Sequence, residues 1–275
     1  MKQMILEFLP IVLLLTLTLP IHLMDIEPLQ RGFFCNDNTL KYPYIENETI
    51  PAYVCFTLWI VLSLFIILTT QIISKSFSII VVKDIISGAL CCILLTDIVK
   101  YAVGKMRPHF LTLCDPDYNN ICFNEDAYYI DDDGEELLDE FYQKYVNETN
   151  VCSTDKSELL REARLSFLSG HASYSFYFAT FLIHFINNHI KYLKWGRQIT
   201  SIIKLLLIML ATWISLTRIN DFYHHPSDVF CGAFTGVAVA FYYNGGNSTS
   251  STKDLEVPEE LMEAQHLKIS EQNST

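Results

Sequence analysis

The sequence lacks any tract in which basic residues alternate with aromatic residues, so it carries no electrostatic signature of a nucleic-acid-binding protein. Charged residues make up only 18% of its 275 residues, whereas 51% are apolar. The apolar residues gather into blocks of about 20 with few charges, which is the length that crosses a hydrocarbon layer as a helix. This composition argues against an ordinary soluble fold and predicts an all-α integral membrane protein.

The apolar blocks predict about six transmembrane helices. They cover approximately residues 4–24, 52–72, 85–103, 168–190, 202–216 and 228–243. The first block follows a single early lysine, Lys2, is interrupted by Glu7, and has no small-residue cleavage pattern before Asp25. We therefore expect a retained membrane anchor rather than a cleaved signal peptide.

Basic residues in the short loops predict the orientation, because they resist translocation. The loop after the second block holds Lys75 and Lys83, and the loop after the fourth holds Lys191, Lys194 and Arg197. Both loops, and with them both termini, are predicted to face the cytoplasm. Strict alternation then predicts outer loops at about 25–51, 104–167 and 218–227.

This pattern predicts two parts of the chain: a six-span domain over residues 1–243 and an acidic, disordered cytoplasmic tail over 244–275. The outer loop 104–167 contains an acidic insertion at 125–140. A calcium loop with Gly134 at its sixth position would begin at Tyr129, which is no calcium ligand there. The insertion is predicted to be solvated and flexible, and the sequence leaves its role open.

The predicted outer loops contain Cys35, Cys114, Cys122 and Cys152, and disulfides persist outside the cytoplasm. Four cysteines allow three pairings. Loop length favours Cys114 with Cys122, but the sequence leaves the connectivity open. Asn147 begins an Asn-Glu-Thr sequon in the long outer loop and is predicted to be glycosylated.

The candidate site residues come from three separate segments: Lys100 and Arg107, then Ser169, Gly170 and His171, then Arg218, His224 and Asp228. Each segment alone has an ordinary reading, such as a lysine that snorkels to the membrane edge. Alternation, however, places all three segments at one outer face. Three cations, two histidines and a carboxylate form a set suited to binding and cleaving a phosphate ester.

Local geometry supports an anion site in these segments. Ser169 and Gly170 open the predicted fourth helix, where unpaired N–H groups and the helix dipole favour phosphate oxygens. Pro226 suits the first turn of the predicted sixth helix. His224 and Asp228 then flank the start of that helix, and a hydrogen bond between them is expected.

The same segments resemble the motifs of the type-2 phosphatidic acid phosphatase superfamily, which also includes the vanadium haloperoxidases. They read KYAVGKMRP from Lys100, LSGH from Leu168 and TRINDFYHHPSD from Thr217. Leu168 stands where the family often has proline and Thr217 where it often has serine, and neither change removes a catalytic group. RGFFCNDNTLKYPY from Arg31 is similar to the first outer loop of animal lipid phosphate phosphatases, the wunen-like branch. The resemblance extends from Arg31 to about Tyr243.

The resemblance implies hydrolysis of lipid phosphate monoesters through a phosphohistidine. It gives His224 the role of nucleophile, Asp228 that of orienting it, and His171 that of general acid and base. The adjacent His225 is expected to cap the sixth helix instead. The non-bridging oxygens are expected to be bound by cations and helix N–H groups of the phosphate-binding residues, Lys100, Arg107, Arg218, Ser169 and Gly170.

No cofactor or metal is expected, because the cationic set takes the part that divalent metals play in many phosphotransfer sites. The resemblance implies phosphatidate, lysophosphatidate, sphingosine 1-phosphate and ceramide 1-phosphate as substrates in the bilayer, without ranking them. We expect the plasma membrane with an outward active site, and the sequence leaves an internal membrane with a lumenal active site open. A homo-oligomer stays open.

Two other classes of membrane protein fit less well. A catalytically silent scaffold of the same fold should lack motif residues, whereas this chain keeps the nucleophile, acid, carboxylate and cations. A transporter should place its ionisable residues near the middle of the membrane. The sequence therefore favours a lipid phosphate phosphatase.

Overall fold

The computed structural model describes residues 2–23, 26–74, 78–122, 144–147, 151–154, 157–189 and 196–253. The acidic insertion at 125–140, the tail beyond residue 253, and the loop lysines Lys75, Lys191 and Lys194 lie outside these residues. The described part is predominantly helical, which confirms the predicted fold class at that level. Its helices are, in chain order, α1 (Lys2–Leu23), α2 (Ala52–Ser74), α3 (Ile80–Val103), α4 (Phe110–Cys114), α5 (Tyr118–Cys122), α6 (Ser157–Glu162), α7 (Gly170–His189), α8 (Gly196–Asn220) and α9 (Pro226–Lys253).

The six longest described helices contain 20 to 28 residues and coincide with the predicted apolar blocks. Several extend beyond the predicted ends, because helical hydrogen bonding continues where an apolar window stops. Lys83 consequently lies inside α3 rather than in a loop, and α9 continues past residue 243. By length and composition, Ala52–Ser74 and Gln198–Asn220 are apolar enough to cross a membrane.

Helix α7 is the centre of the bundle and contacts α2, α3, α8 and α9. Its buried hydroxyls and aromatic rings fix its rotation. Trp59 Nε1 of α2 donates to Ser175 Oγ at 2.9 Å, and Tyr177 Oη donates to the Ile85 carbonyl of α3 at 2.9 Å. Because α7 is held from several sides, its first turn has a defined position at one end of the bundle.

Helices α7 and α9 pack with unusually close backbones. A Cβ at Gly232 would lie 2.5 Å from the Ser169 carbonyl oxygen, and one at Gly236 would lie 2.1 Å from the Ser173 carbonyl oxygen. Any side chain at these positions would force the helices apart, as in other G-x-x-x-G contacts. The contact brings the first turns of α7 and α9 together, and Ser169 N–H donates to the Asp228 carbonyl at 3.1 Å.

The loops at this end of the bundle form a small layer of their own. Strands β1 (Phe33–Phe34) and β2 (Tyr145–Val146) pair antiparallel, with Phe33 opposite Val146. A 3-10 turn over Asn38–Leu40 follows β1. Phe110 and Leu111 of α4 pack into the same apolar cluster as Phe33. The first loop is therefore joined to the loop between α3 and α7.

Two disulfides lock this layer, joining Cys35 to Cys122 and Cys114 to Cys152. The pairing of Cys114 with Cys122, which loop length favoured, is therefore wrong. Loop-closure entropy varies only slowly with loop length, so it is easily outweighed by contacts that bring distant segments together. Here the β1–β2 pairing and the apolar cluster carry Cys35 to Cys122.

Candidate active site

Helix α3 ends in a sharp turn at Gly104, and this turn directs the segment with Arg107 towards the candidate site. Gly104 has a φ of 58° and its N–H donates to the Lys100 carbonyl at 3.0 Å, which ends the helix. A Cβ there would also lie 1.7 Å from the Leu29 carbonyl oxygen. Beyond the turn, Arg107 N–H donates to the Ala163 carbonyl at 2.7 Å. The segment after α3 thus runs beside the segment that leads into α7.

The first turn of α7 is suited to an anion. Ser169 is fully buried, and its Oγ has no hydrogen-bond partner among the described residues. A Cβ built on Gly170 would lie 3.6 Å from Lys100 Nζ, so the ammonium group lies beside the start of the helix. An unpaired hydroxyl, a cation and a helix N-terminus together favour phosphate oxygens.

Two arginines flank the ring of Tyr223. The guanidinium carbon of Arg107 lies 5.0 Å from the ring centroid, and that of Arg218 lies 5.5 Å from it. Such cation–π contacts orient a guanidinium group without neutralising its charge. Arg107 also donates to Glu162 at 3.2 Å. The motif letters gave no role to Tyr223, although it stands directly before His224.

Arg218 is almost completely buried, with 1% of its surface exposed, and it is paired with two carboxylates. Its Nη1 donates to Glu48 at 2.6 Å and its Nη2 to Asp221. Asp221 also accepts hydrogen bonds from the N–H and hydroxyl of Thr49, at 2.9 and 2.7 Å. Asp221 is therefore fixed by three donors, whereas the hydrogen bonds between described residues hold Glu48 only at Arg218.

The loop that carries Glu48 and Thr49 also contacts His171, one of the two predicted catalytic histidines. His171 Nε2 donates to the Ile50 carbonyl at 3.0 Å. Because a carbonyl only accepts, this bond assigns the proton to Nε2 and leaves Nδ1 as the basic nitrogen of the ring.

His224 is buried, and its Nδ1 donates to the Ser166 carbonyl at 2.6 Å. The carbonyl places the proton on Nδ1, so Nε2 keeps its lone pair. Burial, and then the charges of Arg107 and Lys100, hold the pKa of His224 well below its ordinary value. A neutral imidazole with a free nitrogen is the form that a nucleophile requires.

Asp228 does not make the predicted hydrogen bond to His224, and this expectation is wrong. Its Oδ2 accepts from Ser166 Oγ at 2.6 Å and from the His225 N–H at 3.1 Å, while its Oδ1 pairs with Lys105 Nζ at 2.6 Å. The physical reason is the position of Asp228 three residues after His225, from which its carboxylate turns back to the preceding N–H as in a capping box. Asp228 contacts His224 only through Ser166 among the hydrogen bonds of the described residues.

His225 precedes α9, as predicted for a cap, and its carbonyl accepts from Asp228 N–H at 3.0 Å. Its ring instead donates to the Met106 carbonyl at 3.2 Å. Sequence reasoning missed Lys105 and Ser166. Lys105 carried a signal, since it is a third basic residue inside the first motif, whereas Ser166 binds His224 through a backbone carbonyl that any residue has.

The eight predicted site residues therefore converge on one end of the bundle, although Asp228 reaches His224 indirectly. The model of the family described as the PAP2 superfamily matches residues 77–247, which contain all of them. The chain belongs to the PAP2 superfamily. This membership confirms the resemblance that the three motifs indicated.

Individual relatives extend the similarity beyond the family model. Phospholipid phosphatase 1 of Rattus norvegicus is 30% identical over 229 residues, which cover 78% of this chain and 73% of the relative. Phospholipid phosphatase 2 of Homo sapiens is 29% identical over 256 residues, covering 87% of this chain and 81% of the relative. No solved structure matches the chain significantly.

Proposed function

We propose that this protein hydrolyses phosphate monoesters of lipids without a metal ion, using His224 as the nucleophile. Membership of the PAP2 superfamily and the similarity to phospholipid phosphatases support a lipid phosphatase. The observation that carries the residue assignment is the buried, neutral His224 ring, whose Nδ1 is held by the Ser166 carbonyl while Nε2 stays unprotonated.

In the first step, the lone pair of His224 Nε2 attacks phosphorus and the bond from phosphorus to the lipid oxygen breaks. His171 keeps its Nε2 proton on the Ile50 carbonyl, carries a second proton on Nδ1 in the substrate complex, and gives that Nδ1 proton to the departing alkoxide. Water then attacks phosphorus in the phosphohistidine, and His171 Nδ1 takes a proton from that water. The bond between phosphorus and His224 Nε2 breaks, inorganic phosphate departs, and both histidines return to their starting states. The charge on the non-bridging oxygens is stabilised throughout by the phosphate-binding set, Lys100, Arg107, Arg218, Ser169 and Gly170.

We propose that the six long helices cross the membrane as one domain over residues 1–243. The outer faces of α2, α8 and α9 carry exposed apolar side chains, including Phe65, Trp213 and Phe230, the last 74% exposed. Such faces are stable against lipid rather than water. Helices of 20 or more residues are also long enough to cross the hydrocarbon layer.

We further propose that the site faces away from the cytoplasm, at the plasma membrane or in a lumen. The two disulfides lie in the loop layer at the end of the bundle that carries the site, and disulfides persist in oxidising compartments. Asn147, the first residue of the sequon, is exposed directly after β2 in that layer. A shift in electrophoretic mobility after treatment with a peptide N-glycosidase, absent in Asn147→Gln, tests this orientation.

A phosphate site at the end of a helical bundle suits a phosphate whose lipid tails stay in the bilayer. We expect phosphatidate, lysophosphatidate, sphingosine 1-phosphate and ceramide 1-phosphate to be substrates, in an order that only a comparison of kcat/KM values decides.

The first experiment measures phosphate release from phosphatidate by the detergent-solubilised protein in the presence of a chelator. Wild type and His225→Ala should turn over, whereas His224→Ala should lose activity by several orders of magnitude, because it lacks the attacking nitrogen. His225→Ala is the matched control, since it removes the neighbouring imidazole. A folded wild type without turnover would instead favour a catalytically silent scaffold.

A further inference from the structure

Ser166 is the point at which three parts of the site are joined. Its carbonyl accepts from His224 Nδ1 at 2.6 Å, its hydroxyl donates to Asp228 at 2.6 Å, and its N–H donates to the Lys105 carbonyl at 2.9 Å. The side chain of Lys105 completes the loop by pairing with Asp228 at 2.6 Å. Lys105 therefore holds Ser166 twice, directly through its backbone and indirectly through Asp228.

We propose that Lys105 is a positioning residue for the nucleophile, and that it acts through Asp228 and Ser166 on the orientation of His224. The proposal rests on the proposed function of His224. In the hydrogen bonds and ion pairs of the described residues, the ammonium group of Lys105 contacts Ser227 and Asp228 and none of the groups assigned to the phosphate. Its effect is thus expected on the chemical step and not on substrate binding.

The charge of Lys105 matters because Asp228 is fully buried. A buried carboxylate is costly unless it is paired, and its remaining donors, the Ser166 and Ser227 hydroxyls and the His225 N–H, are all neutral. Without the ammonium group, the Asp228 carboxylate would turn towards water. The Ser166 hydroxyl then loses its acceptor, and the carbonyl that fixes the His224 tautomer is free to move.

Lys105 is also accessible from solvent, which makes the proposal testable with a small ion. Its side chain is 32% exposed. It lines a cavity of about 330 Å³, together with Arg31, Tyr145 and His225. A cavity of this size admits a small alkylammonium ion to the place that a shortened residue 105 would leave beside Asp228.

The test compares kcat and KM for lysophosphatidate in wild type, Lys105→Ala, Lys105→Arg and Lys41→Ala. Misplacing a catalytic group by about 1 Å costs up to about a hundredfold, so Lys105→Ala should lower kcat by about tenfold to a hundredfold with KM unchanged. Lys105→Arg keeps the charge and should retain most of kcat. Lys41 is the matched control, because it is an exposed lysine near the same cavity whose Nζ donates to the Cys35 carbonyl instead.

Ethylammonium ions should restore kcat to Lys105→Ala while leaving wild type and Lys41→Ala unchanged, with sodium chloride at equal ionic strength as the control. An unchanged kcat in Lys105→Ala would overturn the proposal. So would a loss that neither ethylammonium nor arginine restores, because that result indicates a general structural role. If wild type shows no His224-dependent turnover, the proposed function fails first, and the two failures are thereby distinguished.

Discussion

The pairing of Arg218 with Glu48 predicts that replacing this glutamate strengthens phosphate binding. Arg218 is shared by Glu48 and Asp221, and a phosphate oxygen that binds Arg218 competes with these two carboxylates for its charge. Asp221 is fixed by Thr49 as well as by Arg218, whereas Glu48 has 26% of its side chain exposed and, in the part of the chain that the structure describes, this single ion pair. Glu48 is therefore the carboxylate that phosphate displaces, and Glu48→Gln removes its charge while keeping its shape.

The size of the effect follows from the exposure of the pair. A partly exposed ion pair is worth up to about 1 kcal/mol, and this free energy is lost whenever phosphate replaces Glu48. Removing the competing charge should therefore tighten phosphate binding by about 1 kcal/mol, which is about fivefold in a binding constant.

The assay is competitive inhibition by inorganic phosphate of phosphatidate hydrolysis in detergent micelles. The inhibition constant should fall about fivefold in Glu48→Gln. Glu46→Gln, which removes an exposed carboxylate two residues away in the same loop, should leave it unchanged. Weaker inhibition in Glu48→Gln would refute the reasoning, because it would mean that Glu48 holds Arg218 in place for phosphate.

Three further predictions concern stability. Burial, and then the charge of Arg107, lower the pKa of His109 to about 4. Protonation of His109 therefore favours the unfolded state. The contribution of the neutral, buried His109 ring to the free energy of unfolding is complete above about pH 6.5 and about 2 kcal/mol smaller at pH 5. His109→Gln should lose less thermal stability than wild type between pH 7 and pH 5. Replacing Cys114 and Cys152 by serine opens a 38-residue loop and should destabilise the protein by about 4 kcal/mol, seen as a lower thermal midpoint; a wild-type midpoint would contradict the pairing. Gly236→Ala should also lower the midpoint, because its Cβ would lie 2.1 Å from the Ser173 carbonyl oxygen, and a mutant as stable as wild type would show that α7 and α9 separate at little cost.

The parts of the structure that the sequence predicts are those governed by local composition or by motif spacing. Apolar blocks predict the long helices, because a helix satisfies its own backbone hydrogen bonds wherever the surroundings are apolar. The motif spacings bring Lys100, His171 and His224 to one end of the bundle. The helix ends are less predictable, since the hydrogen bonding of α3 and α9 continues beyond the apolar residues.

The connections inside the site could not be predicted in this way. The sequence pointed the carboxylate of Asp228 to the His224 ring, whereas the capping geometry turns it to the His225 N–H at the start of its own helix. Ser166 acts on His224 through its carbonyl oxygen, for which no residue type is diagnostic. The acidic partners Glu48 and Glu162 come from loops whose path depends on tertiary packing.

The junction of the loop before α2 with the loop after α3 has a consequence for how this protein tolerates changes in length. Cys35 is bonded to Cys122 through sulfur, and its N–H donates to the Lys144 carbonyl at 3.1 Å. Cys122 and Lys144 are therefore both held at Cys35, and these two contacts do not depend on how many residues lie between them. Insertions, deletions or an epitope tag between residues 122 and 144 should therefore be accepted without loss of turnover, which offers a place to attach a label.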